Sequence, residues 1–346
     1  MNETLWKNIA AVYDLGAWST PPQAVTGGLK RQLYQARTTR GEYAVKVLNP
    51  RLLREPGRPA RYKRAEQIAQ AAARAGLPAI PALPGPDGPV QVVGPVTVMV
   101  FPWLSGTILS PGPASPDAAH QIGALLGRLH ALAPDVHSLE PPPSWHFSDA
   151  YWARAVRQGR EDGAVWATAV GEALPDLKRW SASAHQAREA LGSGWTATHR
   201  DMDQKNVLWS DLHTPWLLDW EEAGAMNPAL EVMGSALNWA GVAAGPPAEA
   251  TFLAFLDGYR DAAPLDPASC RRRRSGQVAD LARLQPAMLL THRRRAAPAS
   301  LVRWDEGGHV LGLPVQGRPV GVPDPQDLPR EGRVGLRLCR LGGFVA

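Results

Sequence analysis

The order of hydrophobic periodicities along the chain predicts an α+β fold of two lobes, a small β-rich first lobe and a larger helical second one, with a cleft between them. Three observations carry this. After a short helical start, strand-like alternation interrupted by one Ala-rich helical stretch runs from Ala24 to Phe101. Helix-spaced apolar residues dominate from Asp117 to Ala262. A Pro-, Ser- and Gly-rich stretch after Pro102 separates the two regions. The 346 residues are enough for two buried cores. The boundaries follow as an amino-terminal lobe at 1–103, a second lobe at 104–269 and a tail of different composition at 270–346.

Taken in order, residues 3–14 have the spacing of a short amphipathic helix. Arg31–Thr38 and Glu42–Leu48 alternate and flank Thr39-Arg40-Gly41, which predicts an antiparallel hairpin. Arg61–Ala75 is Ala-rich and helical, stopped by Gly76 and Pro78. Val90–Val93 and Val96–Phe101 are β-rich, and Pro102 to Gly106 has the composition of a hinge. Asp117–Leu132 places Ile122, Leu125, Leu126 and Leu129 on one helical face. Helices are expected at Ser148–Arg160, Trp166–Leu191, Ala229–Val242 and Ala248–Ala262, and short strands at Val207–Trp209 and Trp216–Asp219. The Trp-rich region from Trp145 to Trp195 is expected to mix core packing with pocket lining.

Composition narrows the function classes. The longest apolar run, Val90–Leu104, is broken by Gly94, Pro95 and Pro102, so no membrane span is predicted. The start, MNETLWKNIAAVYDLG, is charged where a secretion signal is apolar, which predicts a cytoplasmic protein. Cys270 and Cys339 form neither a metal-ligand nor a disulfide pattern. The net charge of +5 is made by the tail, where 14 Arg face 6 acidic residues; the first 269 residues carry −3. That body disfavours a nucleic-acid partner and favours a cationic small molecule. The tail has no sustained period and is expected to be poorly ordered and to add nothing to catalysis. It reads either as a basic extension or as the product of a shifted reading frame.

The chemistry is concentrated in HRDMDQKNVLW, His199 to Trp209, and LLDWEEAG, Leu217 to Gly224. Phosphoryl transfer from a Mg-nucleotide needs a carboxylate facing an attacking hydroxyl and hard oxygen ligands for the metal. Asp201 suits the first role; Asn206 and Asp219 suit the second. His199 fits a loop organiser better than a reacting group. The alternative for each acid is a turn cap or an exposed strand end.

With the hairpin, helix, hinge and both motifs in this order, residues 20–262 resemble the aminoglycoside phosphotransferase and choline kinase-like group, which shares the protein-kinase-like fold. Asp-Trp-Glu at Asp219, in place of Asp-Phe-Gly, favours the small-molecule enzymes. The resemblance implies ATP (or GTP) and Mg²⁺ as cofactors and a small-molecule hydroxyl as acceptor. It makes Asp201 catalytic, Asn206 and Asp219 the metal ligands, and Lys46 the grip on the phosphates. Only six Lys accompany 31 Arg, so a lysine at position 46 points to a need for a compact charge. Glu66 is the expected ion partner of Lys46, with Glu55 as its rival. Gly27-Gly28 is either a phosphate loop or a plain turn, and Phe101 to Leu104, including Trp103, would offer backbone groups to the base. Two positions depart from the family pattern. Asp203 stands where aminoglycoside enzymes usually have His, and Lys205 replaces the more usual Gly. Asp203, Glu221 and Glu222 suggest a cationic acceptor such as an aminoglycoside or amino alcohol; a sugar, choline or homoserine acceptor, or a nucleotide-binding pseudokinase, is the alternative.

Overall fold

The computed structural model describes residues 1–25, 32–110, 112–135, 139–140, 148–191, 194–210, 213–242, 244–263, 302–304 and 310–312. Gly27 and Gly28 lie outside these residues. So does the tail, apart from two paired strands at its positions 302–304 and 310–312.

The first lobe begins with α1 (Glu3–Val12), where Asn2 Oδ1 accepts the N–H of Leu5 at 2.9 Å and caps the helix. Five strands follow: β1 (Gln23–Val25), β2 (Gln32–Thr38), β3 (Gly41–Val47), β4 (Gln91–Val93) and β5 (Val96–Pro102). They form one antiparallel sheet in the order β1-β2-β3-β5-β4. Period-two alternation assigns each face its task. Val45 and Val47 of β3 and Val98 and Val100 of β5 meet Leu5, Trp6 and Ile9 of α1 in one core. Lys46, opposite Met99 in the register, faces the other way, toward the second lobe.

Between β3 and β4 lie α2 (Pro50–Leu53) and α3 (Arg58–Arg74). α3 starts beyond Gly57, whose φ of 75° only glycine takes without strain, and stops at Gly76. Its Ala65, Ile68, Ala69 and Ala72 are buried in the main core of the second lobe, so the helix belongs to both halves. The segment after it is stitched to that lobe by backbone bonds from Ile80 N to Leu217 O (3.1 Å) and from Leu217 N to Pro78 O (2.7 Å).

The second lobe runs β6 (Thr107–Ile108), α4 (Pro116–Leu132), α5 (Asp149–Glu161), α6 (Ala167–Glu172), α7 (Leu174–Leu191), β7 (Thr196–Thr198), β8 (Val207–Trp209), β9 (Pro215–Leu217), β10 (Gly224–Met226), α8 (Pro228–Trp239) and α9 (Glu249–Ala262). β6, β8 and β9 form one small sheet and β7 and β10 another. α4 and α9 touch backbone to backbone. A Cβ on Gly123 would lie 2.0 Å from the Phe255 carbonyl oxygen, and one on Gly258 would lie 2.0 Å from that of His120. Around these helices Ile122, Leu126, Leu129, Trp239 and Phe255 are buried. α5, α6 and α7 hold a smaller cluster around Trp152, whose indole N–H donates to Ser181 Oγ at 2.9 Å. Trp152 is therefore a core residue, while Trp145 lies outside the described residues.

Two expectations need correction. The helix expected over 166–191 is split at Ala173, where Pro175 suits the first turn of α7 and not a helix interior. The strand expected to end at Asp219 ends at Leu217, because Asp219 adopts a left-handed conformation with φ 56° and ψ 56°.

Candidate active site

The loop between β7 and β8 is held from several directions before its acids are considered. His199 is fully buried; its Nε2–H donates to Leu218 O at 3.0 Å, and its Nδ1 accepts the N–H of Asp201 at 3.3 Å. Both ring nitrogens thus serve the backbone, which makes His199 an organiser of the loop. Trp239 Nε1 donates to Met202 O at 3.0 Å, and Gln204 Nε2 donates to Gly112 O and Asn238 O at 2.9 and 3.0 Å. Asn206, in the short 3-10 turn Gln204–Asn206, sends its amide N–H groups to Asp201 O at 2.7 Å and Asp201 Oδ2 at 2.9 Å. The amide oxygen of Asn206 is left with no donor among the described residues.

Asp219 follows β9 directly. Leu218 N donates to Asn206 O at 2.8 Å, so the two motifs share one backbone frame. Non-glycine residues in the left-handed region carry strain, and Asp219 is one of four in the described chain. Trp220 is buried beneath it, with its ring centroid 4.5 Å from that of His199. The carboxylate meets Lys46 across the cleft, with Nζ 2.7 Å from Oδ1; the same ammonium lies 3.2 Å from Glu221 Oε2. The chain thus brings Lys46, Asp201, Asn206 and Asp219 to one locality.

Glu66 is buried, 2% exposed, and its Oε2 accepts the N–H of Ala82 at 2.7 Å. Burial pushes its pKa up to about 7, against the pull of that bond and of Lys46. Lys46 makes its close ion pairs with Asp219 and Glu221, and Glu66 acts on it at longer range. At the hinge, Trp103 N donates to Glu42 O at 3.0 Å, and Phe101 pairs with Ala44. The N–H of Leu104 is the hinge donor left without a partner among the described residues.

The three acids that suggested a cationic acceptor are each matched within the chain: Glu221 by Lys46, Glu222 by Arg58 at 3.4 Å, and Asp203 by Lys205 at 2.9 Å. Burial first, then the neighbouring Asp201, pushes the Asp203 carboxyl up to about 6.

Sequence reasoning passed over a buried polar relay behind the loop. His130 of α4 meets Tyr259 OH at 2.9 Å through Nδ1, and Thr198 Oγ1 and Glu231 Oε2 at 3.1 and 3.2 Å through Nε2. Glu231 Oε1 accepts the N–H of Arg200 at 2.6 Å, beside Asp201. Burial works against the charge on Glu231, but the bonds from His130, Thr198 and the Arg200 backbone outweigh it and hold the carboxyl below its usual range. The signal was present: each is a polar residue in the buried stripe of an otherwise apolar helix.

As a donor set for Mg²⁺, the Asp219 carboxylate and the Asn206 amide oxygen are hard oxygens. Among the described residues no cluster of three or more His, Cys, Asp or Glu forms an all-protein cage.

Residues 22–265 match the family model described as the phosphotransferase enzyme family. No curated protein matches the chain in sequence. Among solved structures, an aminoglycoside phosphotransferase from Alicyclobacillus acidocaldarius is similar with a TM-score of 0.58 and 16% identity, over 84% of this chain and 86% of that one. A spectinomycin phosphotransferase in complex with ADP and spectinomycin gives 0.55 and 14%, over 82% and 88%. Choline kinase from Streptococcus pneumoniae gives 0.54 and 14%, over 86% and 94%. At these identities the likeness is one of fold, the two-lobe arrangement built above.

Proposed function

The chain belongs to the phosphotransferase enzyme family and is an enzyme that phosphorylates small molecules, and from that premise we propose that ATP with Mg²⁺ is its donor and that Asp201, Asn206, Asp219 and Lys46 carry the transfer. The observation that carries the assignment is the 2.7 Å approach of Lys46 to Asp219, residues 173 positions apart, in a site whose acids and amide are fixed by the backbone.

When bound, the metal supplies charge neutralisation at the phosphate oxygens. Asp219 and the Asn206 amide oxygen would hold it. Lys46 would turn from its carboxylate partners to the phosphate oxygens and hold the triphosphate by charge. Asp201, its Oδ2 fixed by Asn206, orients the acceptor hydroxyl and takes its proton late in the transfer. Glu66, at longer range, keeps Lys46 from swinging away from the cleft. The Leu104 N–H is the hinge group facing the base.

The acceptor is a small alcohol. Asp203, Glu221 and Glu222 have partners within the chain, but Glu221 loses its partner when Lys46 turns to phosphate, so a cationic acceptor stays part of the reading. Spectinomycin, choline and aminopropanol, named for structurally similar proteins, are the first compounds to try. Incubation with Mg-ATP and a panel of amino and neutral alcohols, read by mass spectrometry, tests the reading. A gain of about 80 mass units on one compound, for the added phosphoryl group, supports it. No transfer to any acceptor, with ATP still bound, would make the protein a nucleotide-binding relative without kinase activity.

A further inference from the structure

Lys205 lies beside the proposed base, paired with both Asp201 and Asp203. The 3-10 turn Gln204–Asn206 buries the side chains on either side of it, while Lys205 remains 62% exposed. Its Nζ lies 3.3 Å from Asp201 Oδ1, 3.2 Å from Asp201 Oδ2 and 2.9 Å from Asp203 Oδ2. Asp203 is mostly buried, and its other oxygen, Oδ1, is enclosed with no hydrogen-bond partner among the described residues. The side chain of Asp203 bonds the Lys205 ammonium, which works as a tether.

An ammonium carries three N–H donors. Asp201 and Asp203 can take two of them, and the exposure of the side chain leaves room for a third partner. The ammonium bridges the two oxygens of Asp201 at 3.3 and 3.2 Å, long enough contacts for a point charge to shift toward a new anion, which the fixed fork of an arginine would do less readily. The acceptor oxygen must lie within about 3 Å of Asp201 for its proton to be taken. A cation already within hydrogen-bond distance of that carboxylate is therefore adjacent to the transferring group.

We propose that Lys205 is a further catalytic residue, whose ammonium contacts the equatorial oxygens of the transferring phosphoryl group, and that Asp203 is the positioning residue that tethers it. The proposal rests on the phosphotransferase reading given above. In the step itself the bond from phosphorus to the acceptor oxygen forms and the bond from phosphorus to the bridging oxygen of ATP breaks. The leaving ADP keeps that electron pair, and the hydroxyl proton passes to Asp201. Lys205 makes and breaks no covalent bond and keeps its protons. It opposes negative charge that is greatest on the phosphoryl oxygens during the transfer.

The test uses Mg-ADP with and without aluminium fluoride, a mimic of the transferring phosphoryl group, and reads affinity by calorimetry on the full-length protein. Wild type should bind Mg-ADP more tightly when the fluoride is present. Lys205→Ala should bind Mg-ADP alone as wild type does, but lose about 10- to 100-fold of the gain conferred by the fluoride. Lys205→Arg should recover part of it, since charge is restored with the wrong shape, and Asp203→Asn should lose a smaller part through the slackened tether. Melting curves of each variant separate these losses from misfolding, and Lys205→Gln replaces Lys205→Ala if the latter does not fold. An equal gain from the fluoride in wild type and in the alanine or glutamine variant, or no gain in any of them, overturns the role of Lys205. Failure of wild type to bind Mg-ADP at all would instead overturn the phosphotransferase site on which the proposal rests.

Discussion

The Glu66 carboxylate accepts the N–H of Ala82 at 2.7 Å, which ties a buried acid of α3 to the segment stitched onto β9. Its pKa is pushed up to about 7 from the usual 4.5, with burial as the main cause. Between pH 4.5 and 7 the folded chain therefore keeps a proton that the unfolded chain releases. Stability should rise as pH falls through that window. Relative to Glu66→Gln, which does not titrate, the wild type should gain about 2–4 kcal/mol across it. Denaturant unfolding of both proteins at pH 5 to 8 measures the difference, and a pH-independent difference would contradict the cause assigned here.

Asp201→Asn and Asp219→Ala should fail differently. The first removes a proton acceptor and keeps the shape, so turnover should fall by roughly 10²–10⁴-fold with nucleotide binding nearly intact. The second removes the carboxylate that Lys46 faces and should weaken Mg-ATP binding. Steady-state kinetics and nucleotide titration on both variants check the split. Equal loss of binding with turnover retained would reverse the roles.

Glu231→Gln keeps volume but removes the charge that His130 and the Arg200 N–H share. The expected cost is about 2–4 kcal/mol, since a buried, charge-assisted network is broken. Turnover should fall as well, because Arg200 sits in a left-handed conformation immediately before Asp201. A variant with wild-type melting behaviour would show that the relay is incidental.

Gly123→Ala forces a methyl group against the Phe255 carbonyl, where neither helix has a side chain that can yield. A loss of about 1–3 kcal/mol or more is expected. Gly234→Ala in α8 is the matched control, since nothing lies within 4 Å of the added carbon. It should be neutral or stabilising by about 0.5–1 kcal/mol, because an interior glycine weakens a helix. Thermal unfolding of the pair decides whether close approach or glycine itself is responsible.

What could be read in the sequence and what could not divides along physical lines. Alternation in β3 was enough to put Lys46 opposite Val45 and Val47, because one face of that sheet must be apolar. The spacing of Asp201, Asn206 and Asp219 gave their proximity, since β8 and β9 pair within one hairpin. Pairing across the cleft was less legible. Glu221 and Glu222 suggested a cationic acceptor, but they face Lys46 and Arg58, both partners coming from more than 150 residues away. The left-handed turn at Asp219 has no signature in residue type, since glycine, the usual marker, is absent. His130 and Glu231 were visible as polar intrusions, but only the packing of α4, α8 and α9 shows that they intrude on each other.

The backbone contact between α4 and α9 also dictates an order of events during synthesis. α4 ends at Leu132 and α9 at Ala262, roughly 130 residues later. At about 5–20 residues per second, the apolar face of α4 waits about 6 to 26 s for the helix that covers it. No side chain from an earlier helix can substitute, because the glycine surface of α4 accepts only a partner that approaches with its own main chain. The nascent second lobe is therefore sticky until nearly its last helix emerges. A chain cut short before Ala262 should accumulate with chaperones or in aggregates instead of as a smaller folded protein.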